Sequence, residues 1–418
     1  MTAQYVTDQH VNECLADVHT AFDAAHAHVA ATALRGGPGG QVGLELEYHL
    51  VDARDPARRP GWPAVQALLA GLPELPGGSR VTVEPGGQIE LSTPPALGVA
   101  AAVAALRGDE AVLRAELAAA GYRAVPLGTD PARPLERIHP GARYVAMERH
   151  FAALGCAGPG RAMMTGTAAL QVNLDAGPEA GWAARLSLAR SLAPVLVAIS
   201  ACSPYLAGRA SGWASMRQQA WHGLGARSAA VPGGSPTEAW ADHALAAPVL
   251  LVRDGGRLTP VSEAVPFADW LRGTAPFARR PELADLEYHL TTLFPPIRPR
   301  GYLELRCLDS TRWWPALAGL TATLLDDPVA ADAAADAAEP VADRWTVAAR
   351  DGLRDPALRA AAIRCVSVGA HRCPAPLAAE VGELAELVLA GRTPGHEIAQ
   401  RIAADGPLAV LGEDADAG

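Results

Sequence analysis

Glutamate occupies alternate positions in three separated stretches whose other positions are apolar. Residues 42–50 place Glu45 and Glu47 among Leu44, Leu46 and Tyr48; residues 88–92 place Glu90 between Ile89 and Leu91; residues 302–306 place Glu304 between Leu303 and Leu305. Strand side chains alternate faces, so each stretch read as a strand turns its carboxylates one way and its apolar residues the other. Residues 170–175 repeat the pattern with Gln171, Asn173 and Asp175. One Glu-x-Glu strand is an ordinary solvent face, but four such strands in one sheet would gather carboxylates and amides until they repel one another. Cations relieve that repulsion, and a set of oxygen donors selects hard divalent ions, Mg²⁺ first with Mn²⁺ as the alternative.

Several elements must bring these residues together. Residues 81–90 read as strand, turn and strand, with Pro85-Gly86 as the turn, which carries Glu84 back beside Glu90. Val99, Val103, Leu106, Leu113 and Leu117 trace one face of a helix that stops at Gly121. Residues 181–201 predict an apolar core helix, 283–293 and 316–325 two more, and from 340 onward the Ala-rich chain predicts helices. Residues 8–35 predict a single helix running into the glycines at 36–40, and 413–418 a frayed tail. His10, His19, His26 and His28 on that first helix are irregularly spaced, as solvated or packed histidines are. Strands and helices do not alternate with a regular βα cadence. The expected class is α+β, an antiparallel or mixed sheet with helices packed on one face. We expect one catalytic domain over 1–418: an N-terminal helix and Gly-rich junction (1–40), a core (41–320) and a helical support (321–418).

Composition excludes more than it selects. All 35 basic residues are arginine. Without lysine there is no Walker A loop, no pyridoxal Schiff base and no Ser-Lys dyad. A net charge of −10 and the absence of a basic run argue against a nucleic-acid surface. No window approaches the ~20 uninterrupted apolar residues of a membrane span, and the first residues lack signal-peptide character, so the expected location is cytoplasmic. The cysteines, Cys14, Cys156, Cys202, Cys307, Cys365 and Cys373, show no CxxC spacing and suggest neither disulfides nor zinc.

Six stretches in order carry a resemblance: Glu-Pro-Gly-Gly-Gln-Ile-Glu-Leu-Ser at 84–92, Met163-Met164, Gln-Val-Asn-Leu-Asp at 171–175, Ser-Met-Arg-Gln-Gln-Ala-Trp at 215–221, His-Leu-Thr-Thr-Leu-Phe-Pro at 289–295, and Leu-Glu-Leu-Arg-Cys-Leu-Asp at 303–309. Together they resemble the glutamate–cysteine ligases of the plant and proteobacterial type, nearest the bacterial subgroup that feeds ergothioneine synthesis. The resemblance covers roughly residues 40 to 320, the nonapeptide at 84–92 being its most specific part.

That resemblance implies a glutamine-synthetase-like catalytic sheet and an ATP-driven ligation. ATP would phosphorylate the γ-carboxylate of L-glutamate, and the amine of L-cysteine would displace phosphate to give γ-glutamylcysteine. The triphosphate must be neutralised by Mg²⁺, with Glu45, Glu47, Glu90 and Glu304 as ligands and Glu84 as a fifth. Glu304 and Arg306 would serve catalysis; Gln171 would complete the site or touch phosphate. Arg217 resembles the residue that holds a substrate carboxylate, with Trp221 and Asn173 in the same pocket. Arg306 would meet phosphate or else pair with a neighbouring glutamate. Arg312 is a further phosphate candidate, whereas Trp313 and Trp314 are expected to pack.

In one place the chain departs from the family. Plant-type members carry a basic residue where Thr165-Gly166-Thr167 stands here, which leaves open an acceptor amine other than cysteine's. A ligase for another amine and a non-catalytic nucleotide- or Mg²⁺-binding regulator are the alternatives. The implied partners are L-glutamate, L-cysteine and ATP, with no obligate protein partner, nucleic acid or membrane.

Overall fold

Alternating Leu, Ile, Val and Tyr drive strand formation here because each apolar set can be buried on one side of a pleated sheet. The structure, a computed structural model, describes residues 8–412; the tail expected at 413–418 lies outside them. Its strands are β1 (Gln41–Asp52), β2 (Arg80–Val83), β3 (Ile89–Ser92), β4 (Ala96–Leu97), β5 (Tyr122–Val125), β6 (Ala169–Asp175), β7 (Tyr205–Leu206), β8 (Arg209–Ala210), β9 (Leu251–Asp254), β10 (Arg257–Pro260), β11 (Ile297–Pro299) and β12 (Tyr302–Asp309). The main sheet has the order β11-β12-β6-β1-β3-β2, with β4 and β5 also paired to β1. Its ladders are antiparallel. β7–β8 and β9–β10 are separate two-stranded sheets.

All four polar-patterned strands are therefore neighbours or near neighbours in one sheet. Their apolar positions, Leu44, Leu46, Tyr48, Leu91, Val172, Leu174, Leu303 and Leu305, are buried. They face a layer of helices that includes Val99–Ala119, Trp182–Ser200 and Trp314–Asp326. Each such side chain contributes about 1.5–3 kcal/mol by leaving water, so a register slip that turned the glutamates inward would forfeit many of these terms at once. The helices of the C-terminal part, Pro328–Ala338, Pro356–Arg372 and Ala378–Leu389, lie against this first layer.

The fold differs from expectation in two places. Residues 8–35 form two helices, Asp8–Ala16 and Ala21–Ala33, because Asp17 and Thr20 offer the backbone competing partners: the Asp17 carboxylate accepts the His19 amide at 3.0 Å, and the Thr20 hydroxyl donates to the Cys14 carbonyl at 2.8 Å. Helices also cover part of the polar face. Ala142–Ala153, Ala157–Gly166 and Met216–His222 carry a second apolar cluster with Met147, Phe151, Met163, Met164 and Ala220 at its heart. The space between this roof and the polar face is the candidate site.

The turn between β2 and β3 shows why the nonapeptide is built as it is. The Glu84 amide donates to the Gln88 carbonyl at 2.8 Å, and the Ile138 and His139 amides both donate to the Pro85 carbonyl, at 2.9 and 3.0 Å. A Cβ on Gly86 would stand 2.6 Å from the Thr165 backbone, and Gly87 has φ 88°. Only glycine fits a close approach of that kind or adopts that backbone without strain.

Candidate active site

Strand register sets out the polar face as rows. Arg298 on β11 is opposite Glu304 on β12, which is opposite Asn173 on β6. Gln171 is opposite Glu45, and Glu47 is opposite Glu90, which is opposite Thr82 on β2. Under the roof lies a cavity of about 350 Å³ lined by Glu45, Glu47, Glu84, Glu90, Gln171 and Arg306 from the sheet side. Met147, Met163, Met164, Trp221 and Phe294 line it from the other. A second cleft of about 460 Å³ shares Glu45, Arg80, Ser92 and Arg300 with the first and continues along the sheet past Asn173 and Tyr302.

Four carboxyl groups in one cavity cannot all ionise cheaply. Burial, then the charges of Glu304 and Glu90, raises Glu45 to about 7. Burial raises Glu47 against the opposing pull of Arg217 and Arg306. Glu84 is pushed well above the carboxylate range by burial and then by Glu47 and Glu90; Glu90 is raised by burial and then by Glu47. What exposure Glu45, Glu47 and Glu84 retain faces a narrow cavity rather than bulk water, so desolvation still dominates. The Thr82 hydroxyl donates to Glu90. Glu47 is oriented by the Ala169 amide at 2.9 Å.

These donors fit a hard divalent cation. They are all oxygens, and they carry more negative charge than the cavity sustains without protons or metal. Among the described residues no three acidic, imidazole or thiol groups already converge into a ligand shell.

The structure places Glu304 apart from the other glutamates. It is fully buried and absent from the cavity wall. Arg298 grips it through Nη2–Oε1 at 2.9 Å and a second bond from Nε, while Arg300 and Arg306 stand at 3.3 and 3.2 Å. Burial would raise Glu304, but Arg298, Arg306 and Arg300 pull it down to about 2. Its carboxylate is a counter-ion to three guanidinium groups, not a group presented to the cavity. Arg306 pairs with Glu304 and also lines the cavity, with its Nη1 donating to Gln171 Oε1. The Trp221 and Phe294 rings each lie 5.8 Å from its Cζ.

Arg217 is also placed elsewhere than expected. It is 2 % exposed and is not among the cavity's lining residues; its Nη2 donates to the Arg306 carbonyl at 2.8 Å, and its charge acts on Glu47. Helical spacing shows that Arg217 and Trp221 share a face; it does not show depth, and only Trp221 reaches the cavity. Asn173 Nδ2 donates to Glu45 Oε1 at 3.0 Å and lines the second cleft. Arg312 is on another surface altogether, paired with Glu397 at 2.9 Å and over the Trp313 ring. A phosphate role for it has no support in this placement. Trp314 is buried, as expected of a packed residue, and its Nε1 donates to Glu110 at 3.2 Å.

Four polar lining residues escaped the sequence reading: Arg80, Arg143, Tyr144 and Arg300. Arg80 carried a signal, because Arg80, Thr82 and Glu84 continue the period-two alternation of the neighbouring strand. It has no carboxylate partner among the described residues. Arg143 and Tyr144 come from a roof helix, and nothing local in the sequence points them at the sheet.

Comparison with known proteins follows the same line. The family model described as glutamate-cysteine ligase family 2 matches residues 41–414. A relative from Mycolicibacterium smegmatis, named glutamate–cysteine ligase EgtA, is 51% identical over 401 residues, which is 94% of this chain and 95% of that protein. The protein of the same name from Mycobacterium tuberculosis is 50% identical over 396 residues, 93% of this chain and 92% of its own length. A chloroplastic glutamate–cysteine ligase of Medicago truncatula is 30% identical over 67% of this chain and 56% of its own length. In fold, the chain is similar to the crystal structure of a glutamate–cysteine ligase from Francisella tularensis in complex with AMP, with a TM-score of 0.53 over 90% of this chain and 88% of that one at 15% identity.

Proposed function

The chain belongs to glutamate–cysteine ligase family 2, and from that membership we infer that it joins the γ-carboxylate of L-glutamate to the amine of L-cysteine with ATP, giving γ-glutamylcysteine, ADP and phosphate. The single observation that supports this reading at the level of the site is the cavity itself, where Glu45, Glu47, Glu84 and Glu90 meet Arg306 under an apolar roof.

We propose that the reaction has two steps. A γ-carboxylate oxygen of glutamate attacks the terminal phosphorus of ATP and ADP leaves; the cysteine nitrogen then attacks the acyl carbon, the carbon–oxygen bond to phosphate breaks, and the amine gives up a proton. The four cavity glutamates would hold Mg²⁺, which when bound neutralises the triphosphate and keeps the transferred group in line. Arg306 is suited to the charge that gathers on the transferred phosphoryl oxygens, because Glu304 and Gln171 fix its fork before substrate arrives. Gln171 presents its amide to Glu47 at 3.5 Å and so ties the carboxylates to the same arginine. Trp221, Phe294, Met163 and Met164 form a wall that keeps water from an acyl phosphate, which would otherwise hydrolyse. Thr167 lines the cavity as a hydroxyl and not as a cation, so selection of the acceptor rests on shape and apolar contact. We further take the dipeptide to feed ergothioneine synthesis, on the resemblance to that bacterial subgroup.

The test is mass-spectrometric detection of product after incubation with ATP, Mg²⁺, glutamate and a panel of amines. γ-Glutamylcysteine as the dominant product supports the reading. A dominant product with another amine would change the acceptor, and ATP turnover independent of any amine would point to a regulator.

A further inference from the structure

Three of the four cavity glutamates are held at their carboxyl groups. Asn173 donates to Glu45, the Ala169 amide to Glu47 and the Thr82 hydroxyl to Glu90. Glu84 has no such anchor among the described residues, so its position is set by the turn that follows it.

That turn is gripped from behind. A buried carbonyl outside the ladder needs a donor, and the Gly86 carbonyl accepts Arg59 Nη1 at 2.9 Å. Arg59 comes from the segment between β1 and the helix Trp62–Gly71. Its Nη2 donates to Asp130 Oδ2 at 2.9 Å and to the Pro134 carbonyl at 3.2 Å. The next helix residue but two, Trp62, packs its ring against His139 with centroids 4.0 Å apart, and the His139 amide is one of the two that hold the Pro85 carbonyl.

Asp130 is the node of this arrangement. It is fully buried, and its Oδ2 also accepts Arg133 Nε at 2.7 Å. Burial would raise its carboxyl, but Arg133, then His49 and Arg59, hold it below the ordinary range. Arg133 in turn donates through Nη1 to the Leu50 carbonyl of β1 at 2.8 Å. The Asp130 amide donates to the Gly166 carbonyl at 2.8 Å, at the end of the roof helix Ala157–Gly166. Thr165 of that helix is the residue against which Gly86 packs. One carboxylate residue thus ties the turn, β1 and the roof to one another.

We propose that Arg59 and Asp130 are positioning residues of the active site: Arg59 braces the Gly86 carbonyl, Asp130 holds the Arg59 fork, and the pair fixes Glu84 relative to Glu47 and Glu90. The inference rests on the ligase reading above and on Glu84 as a ligand to the divalent cation. A planar guanidinium with two separate donors suits the task, because it reaches a carbonyl and a carboxylate at once.

Two readouts on one set of variants test this: Mn²⁺ binding to the ADP-saturated protein, followed by electron paramagnetic resonance, and glutamate- and cysteine-dependent ADP release. Arg59→Met should weaken Mn²⁺ binding about ten-fold and lower kcat about ten-fold, with KM values for glutamate and cysteine within about two-fold, since misplacement of a reacting group acts on kcat. In a Glu84→Gln background the same substitution should change neither readout much further. Arg59→Lys keeps the charge and loses the fork, so losses of about three-fold are expected in both. Removing one partner of a buried pair is costly; should Arg59→Met not fold, Arg59→Lys carries the cycle. Equal losses in both backgrounds, or a lowered melting temperature with Mn²⁺ affinity and kcat unchanged, would overturn the inference and leave a purely structural pair. Failure of the wild type to form γ-glutamylcysteine would refute the ligase reading instead, and the Mn²⁺ titration would still read the brace.

Discussion

Glu47 on β1 stands directly opposite Glu90 on β3, two carboxyl groups facing each other across an antiparallel ladder. Like charges so placed destabilise a sheet, and no basic residue separates them. Such a pair, with Glu45 diagonal to Glu90 and Glu84 at the end of the turn, is intelligible as a cradle for cations and polyphosphate. As ordinary structure it would only weaken the fold.

If Glu45 and Glu90 hold Mg²⁺, Glu45→Gln and Glu90→Gln should each lower kcat by at least ~10²-fold while the protein stays folded, since a lost ligand removes several kcal/mol of charge stabilisation. Steady-state kinetics across a Mg²⁺ titration, with circular dichroism as the folding control, decides it. Near-wild-type turnover in both variants would remove these residues from the metal site.

Metal-free protein should lose stability as pH rises from about 5 to about 8. The Glu45 carboxyl has an ordinary value of 4.5 and a folded value of about 7, so between those values the folded state keeps a proton that the unfolded state has released. Its contribution is intact below the unfolded value and disappears as pH climbs through the folded one. Glu304, pulled down to about 2, behaves oppositely: it stabilises fully above about 4.5 and loses its effect only as pH falls toward 2, outside this window. Thermal melts in chelator should therefore drop by several degrees across the interval, and added Mg²⁺ should flatten the drop. A melt that is flat in chelator contradicts the charge reading.

The sheet was legible because period-two alternation survives in sequence: the glutamates at 45, 47 and 90 are where the pattern puts them. Depth was not legible. Glu304 obeys the same alternation, yet Arg298 and Arg300 on the edge of the sheet claim it, a pairing that depends on β11 lying beside β12. Arg217 shares a helical face with Trp221 but is buried against the backbone of β12, and Arg312 pairs with Glu397 on another surface. Arg143 and Tyr144 reach the cavity from a helix whose docking is set by long-range contacts that no local window contains. The bulge in β12 between Leu305 and Leu308 had no signal either, since a bulge is defined by the partner strand.

Glu304→Gln should act as loss of a buried counter-ion and not as loss of a ligand. Three arginines would be left without their carboxylate, and breaking a buried pair typically costs about 3–5 kcal/mol. Chemical denaturation should show that loss, and excess Mg²⁺ should not restore turnover. Restoration by high Mg²⁺ in a protein of wild-type stability would return Glu304 to the metal site.

Arg312→Ala should leave kcat and the KM for ATP within about two-fold of wild type. Its pair with Glu397 is at the surface, where such pairs contribute ~0–1 kcal/mol. A ten-fold rise in the KM for ATP would show that the nucleotide reaches this surface after all.

The central claim, that the glutamate-lined cavity runs a ligation through γ-glutamyl phosphate, is tested most directly by isotope transfer. Glutamate labelled with ¹⁸O in its γ-carboxylate is turned over with Mg-ATP and cysteine, and the inorganic phosphate is analysed by mass spectrometry. Attack of a carboxylate oxygen on phosphorus predicts one ¹⁸O in each phosphate released with γ-glutamylcysteine; phosphate free of label alongside labelled dipeptide would contradict the account.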